Sequence, residues 1–171
     1  MSDLLVIAFD DANAAHELEK RLALVRSGAG VDMQDVARVT RDADGRVHMH
    51  KPVNAQLAQT VGGGVWGLLL GAAFLVPVAG AVAGAAAGAI IGQDRQPGID
   101  RDFLKEVAEK LHPGGSALCL LAREIDRPAV EAVLAEMPGE GRVIEAELSA
   151  EAEAALREKA GKAGEHAGGA G

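Results

Sequence analysis

His48 and His50, two residues apart in "RVHMHK", have types and spacing that could do chemistry. Alternation along a strand puts both imidazoles on one face, where two nitrogens can begin a metal site. Zinc needs three or four ligands drawn from Cys, His and carboxylates, and no Cys or acidic partner stands at ligand spacing. An exposed strand face accounts for the pair. Cys119, in "ALCLLA", has leucine on both sides and nothing nearby to stabilise a thiolate, so it reads as a buried structural thiol. It is the only cysteine, which excludes an intramolecular disulfide and fits a reducing compartment. His112 precedes Pro113 at the end of an expected helix, where a partial positive charge suits the dipole.

Gly62, Gly64 and Gly67 spell the dinucleotide fingerprint G-x-G-x-x-G. The chemistry of that motif needs a strand leading into the glycines and a surrounding βαβ unit, and neither is present. Gly28 and Gly30 read as a helix stop. Asp10 and Asp11 read as caps of a helix start. No phosphate-binding loop, nucleophile elbow or zinc-binding helix occurs, so no catalytic residue and no cofactor are expected.

Composition narrows the partners. The 171 residues carry a net charge of −8, with 17 basic and 25 acidic side chains. Phosphate recognition needs clustered Lys and Arg, so nucleic acid is excluded as a partner. Three Phe, one Trp and no Tyr offer little for stacking bases or sugars. The opening "MSDLLVIAFDDA" lacks a basic leader and its apolar run is short for a signal peptide, so a cytoplasmic location is the expectation for the domain beginning there.

The elements follow from periodicity. "LLVIAF" is an apolar run that reads as a central strand. Ala15, Leu18, Leu22 and Val25 then recur at helical spacing. Residues 31–40 and 46–51 read as two strands around the turn "RDADG". Beyond residue 99, a helix opened by Asp100 buries Phe103, Leu104, Val107, Ala108 and Leu111 and stops at Pro113-Gly114-Gly115. "SALCLLA" is a buried strand. A helix from about Asp126 to Met137, the strand "RVIEAEL" and a helix capped by Ser149 complete the order. The fold class is α+β: a ferredoxin-like split βαβ domain with an inserted apolar helical hairpin and a C-terminal extra helix-strand-helix. Residues 1–51 are its first part, 52–98 the insert, 99–160 the second part with the extension, and 161–171 a disordered tail.

The insert is set apart by charge. Pro52 to Gln93 carry no charged side chain, against nine acidic and seven basic residues in 1–51 and sixteen and ten in 94–171. Gly63, Gly67 and Gly71 fall four apart, as do Gly80, Gly84, Gly88 and Gly92. Each set lines one helix face, the small-xxx-small device that lets helix backbones approach. Pro77 breaks the run, leaving halves of about 15 residues, or about 23 Å each. A hydrocarbon core is about 30 Å thick. A hairpin is therefore expected, because a single span would separate the two parts of the domain. Trp66, Leu69, Leu70 and Phe74 are the expected lipid-facing residues of the first half. The second half is almost all Ala and Gly and is expected to pack on the first or on other copies.

The segments "DLLVIAFDD", "VNAQLAQTVGGGVWGLLLG", "GIDRDFLKEVAEKLHPGGSALCLLAR" and "LSAEAEAALRE" resemble the bacterial family called domain of unknown function 1269. The resemblance implies a membrane-associated protein with a glycine-zipper insert and implies no catalytic residues. The expectation is a non-enzymatic protein that self-assembles through its glycine-zipper helices. Its partners are other copies and a lipid bilayer, the bacterial inner membrane, with the soluble domain facing the cytoplasm. Two rivals differ in kind. One is a soluble homo-oligomer or shell with the hairpins in a shared apolar core. The other is a small-ligand sensor on the sheet, for which Arg46, His48 and His50 are the polar candidates.

Overall fold

The computed structural model describes residues 2–26, 32–50, 66, 70, 101–155 and 157–158. The strands are β1 (Ser2–Phe9), β2 (Asp32–Arg41), β3 (Val47–His50), β4 (Ser116–Glu124) and β5 (Arg142–Leu148). The helices are α1 (Ala14–Arg26), α2 (Arg101–Lys110) and α3 (Arg127–Ala135), and the chain is helical again over residues 150–155. All five strands form one antiparallel sheet in the order β3-β2-β4-β1-β5. The α+β class expected from sequence is the observed one.

Period-two alternation sorts the central strand β1 onto two cores. Leu5, Ile7 and Phe9 face α1 and α3, joining Ala15, Leu18, Leu22, Val130, Val133 and Met137. Leu4, Val6 and Ala8 face the other way, toward Phe103 and Val107 of α2 and Leu111 just beyond it. Both faces of β1 and β4 are thus covered. That is why both strands read as unbroken apolar runs instead of alternating ones.

The connections interleave. β1 and β2 are joined through α1 with β4 between them, and β4 and β5 through α3 with β1 between them. Here the structure differs from the expected layout. The helix and strand set apart as an extension are α3 and β5, and β5 pairs with β1 from Ser2↔Leu148 to Ala8↔Arg142. α3 packs beside α1, while α2 lies on the opposite face. The cause is that α2 buries Phe103 and Val107, with Leu111 just beyond it, on Leu4, Val6 and Ala8, residues pointing away from α1.

Apart from Trp66 and Leu70, the expected hairpin between β3 and α2 lies outside the described residues, as do the stop at Gly28 and Gly30 and the tail at 161–171. β3 runs away from the turn at 42–46 and stops at His50. α2 runs toward that turn's end of the sheet, and its ten residues span about 15 Å. His50 and the start of α2 therefore both lie away from the end where α2 finishes.

Candidate functional site: the second sheet face and its clamp

Trp66 and Leu70 are four residues apart, both helical, and only 1% and 4% exposed. They belong to the core of the second sheet face, with Leu4, Val6, Val39, Phe103, Val107, Cys119 and Leu121. This corrects their expected lipid-facing role: both side chains pack on protein. The sheet face explains the placement, since α2 alone is a ten-residue helix against four apolar strands. Trp66 Nε1 is buried with no hydrogen-bond partner among the described residues. Leu69, Phe74, Pro77, Gly63, Gly67, Gly71, Gly80, Gly84, Gly88 and Gly92 lie outside the described residues, as does the Gly62–Gly67 motif.

α2 is held at its C-terminus by two arginines. The last carbonyls of a helix have no partner inside it. Arg41 Nη1, from the end of β2, donates to Leu111 O at 2.8 Å and to Ala108 O at 3.3 Å. Arg142, from the start of β5, donates to Lys110 O through Nη2 at 3.1 Å and Nε at 3.3 Å. Both cations also complement the negative end of the helix dipole. Arg142 Nη2 further donates to Asp10 Oδ1 at 2.8 Å, and His112 Nδ1 lies 2.8 Å from the same oxygen. His112 is thus drawn to Asp10, whereas a dipole partnership alone was expected of it. The Arg142 guanidinium, and after it His112, hold the Asp10 carboxyl below its ordinary range.

The glycine stop after α2 shapes the clamp. Gly114 N donates to Arg41 O and Arg41 N to Gly115 O, which carries the β2–β4 ladder past Thr40↔Ser116. A Cβ on Gly115 would lie 2.4 Å from Phe9 O and 3.0 Å from His112 O. Ser116 then donates to Asp11 O and accepts from Ala15 N, tying the start of α1 to β4.

The other expected site residues are accounted for separately. His48 and His50 do share a face, opposite Thr40 and Arg38 on β2. His50 Nε2 lies 2.8 Å from Thr40 Oγ1, and His48 Nε2 lies 3.2 Å from Asp42 Oδ2. Among the described residues, no group of three His, Cys, Asp or Glu is arranged to hold a metal. Arg46 donates its backbone N–H to Asp42 Oδ1 and closes the turn. Cys119 is fully buried, and burial, with the Asp35 charge adding to it, raises its thiol pKa far above the ordinary range. A thiol so held is inert as a nucleophile. α1 and β2 add a pair that spacing did not reveal: Glu19, 5% exposed, with Arg38 Nε at 3.3 Å.

Among the described residues no helix is long and apolar enough to cross a membrane. No curated protein matches the chain, and no solved structure matches it. The family model described as protein of unknown function (DUF1269) matches residues 60–161, more than half of the 171-residue chain, and the chain belongs to that family.

Proposed function

We propose that this is a non-enzymatic scaffold: a ferredoxin-like domain that carries and positions a self-associating glycine-zipper hairpin in or at a membrane. The observation that carries the reading is the uncharged stretch Pro52–Gln93, inserted in sequence between β3, which ends at His50, and α2, which begins at Arg101. Such an insertion suits a hairpin, which leaves and returns on one side. The order β5-β1-β4-β2, with α1 and α3 on one face, supports the ferredoxin-like assignment. The family match covers residues 60–161, so residues 60–93 of the apolar stretch and the elements α2 to β5 fall within it together.

Trp66 and Leu70 divide the insert by role. Their burial on the sheet supports a rigid root at the domain, leaving the glycine-spaced remainder as the associating part. The test is membrane fractionation with a carbonate wash, comparing the full chain with a version lacking residues 71–93, which keeps the root. A full chain that resists the wash and a soluble deletion agree with the proposal. A full chain that stays soluble without detergent sinks the membrane part.

The burial of Trp66 and Leu70 against protein also favours a second reading, a soluble homo-oligomer with the hairpins in a shared apolar core. Native mass distinguishes it: a soluble full chain of high mass that the deletion reduces to a small species. In either reading Gly84→Leu reduces the assembly, because a leucine there keeps helix backbones apart.

A further inference from the structure

Three of the chain's five histidines gather at one edge of the sheet. β3 is only four residues long and, among the described residues, is hydrogen-bonded to β2 alone. Its register sets His50 directly opposite Arg38 and His48 opposite Thr40, all on the face covered by α1. α1 contributes Glu19, which pairs with Arg38, and His16, whose Nδ1 is buried with no hydrogen-bond partner among the described residues. Two residues beyond His50 the sequence enters the insert, at Pro52.

We infer that this cluster is an acid-responsive latch, in which protonation of His50 beside Arg38 loosens edge strand β3, the strand that feeds the charge-free segment. The charges facing His50 decide the sign. They are the guanidinium of Arg38 from β2 and the imidazoles of His48 from β3 and His16 from α1. Glu19 is already engaged by Arg38, and Asp42 sits across the turn with His48. His48 therefore has an anionic partner, while His50 has, among the described residues, the neutral Thr40 hydroxyl. Burial, and after it the charges of Arg38, His48 and His16, lower the His50 pKa from its ordinary 6.5. A base whose folded pKa is depressed contributes stability that is present above about 6.5 and is lost as pH falls toward the folded value. The inference does not require that the insert enter lipid.

Amide hydrogen exchange of the full chain tests it, followed at Val47–His50 and at the facing residues of β2 at pH 7.5 and 5.5 and corrected for intrinsic rates. Severalfold faster exchange at pH 5.5, confined to β2–β3 and absent from β1 and β5, is the expected result. His50→Gln keeps a hydrogen-bonding group for Thr40 but cannot take a charge, so it abolishes the acceleration, whereas His112→Gln retains it. Equal protection at both pH values overturns the latch. So does an acceleration that persists in His50→Gln. Should that variant fold poorly, the imidazole NMR titration of the unmodified chain decides: a His50 midpoint at or above 6.5 overturns the inference.

Discussion

Arg142 Nη2 donates to Asp10 Oδ1 at 2.8 Å across 132 residues of sequence, and the same nitrogen donates to Lys110 O at 3.1 Å. One guanidinium thus joins the end of β1, the start of β5 and the last turn of α2. Arg142→Ala removes charge-assisted hydrogen bonds to a helix terminus and should lower stability by about 1–3 kcal/mol. Urea unfolding checks it, with Arg127→Ala as control, since Arg127 meets Glu145 with both side chains largely exposed.

Asp10 sets an acid limit for the same clamp. Its carboxyl pKa is lowered from 3.8 by the hydrogen bond from Arg142 and then by that with His112. A depressed carboxyl contributes stability that is present above the unfolded value and is lost as pH falls through the folded one. Asp10→Asn should therefore flatten the stability profile below about pH 4. An unchanged acid limb in circular dichroism would contradict this.

Gly115 answers to sterics. Its missing Cβ would meet Phe9 O at 2.4 Å, and backbone does not yield there as a flexible side chain does. Gly115→Ala should destabilise by about 1–3 kcal/mol, the usual range for overpacking. A thermal melt that matches the parent would show that β1 and β4 can separate at that point.

The only tryptophan reports on the root of the insert. Trp66 is 1% exposed, so its emission should be blue-shifted and resist acrylamide quenching. Trp66→Ala should cost about 3–5 kcal/mol through the cavity it leaves. Trp66→Phe should cost much less, because it keeps an aromatic ring and removes an N–H that has no hydrogen-bond partner among the described residues. Equal losses for the two variants would mean that Nε1 has a partner.

Cys119 should be unreactive. Fully buried in β4 and with its thiol pKa raised, it should resist maleimide in the native state and react only at the rate of global opening. Rapid native labelling, followed by mass spectrometry, would show that the second sheet face opens.

Much of the fold was legible locally. Helical spacing at Ala15, Leu18 and Leu22 and at Phe103, Val107 and Leu111, the turn between β2 and β3, and the buried runs of β1 and β4 all follow from periodicity and turn chemistry. The absence of charge between Pro52 and Gln93 is likewise plain in composition. Periodicity tells which face an element buries but not what it is buried against. Tertiary structure alone decided that β5 lies beside β1, that α2 and α1 take opposite faces, and that Trp66 and Leu70 close the second core. The arginine clamp and the Glu19–Arg38 pair were hidden for the same reason. Arg41 meets the carbonyls of α2 67 and 70 residues away in sequence, and no local pattern encodes a contact formed only when the sheet brings strand ends together.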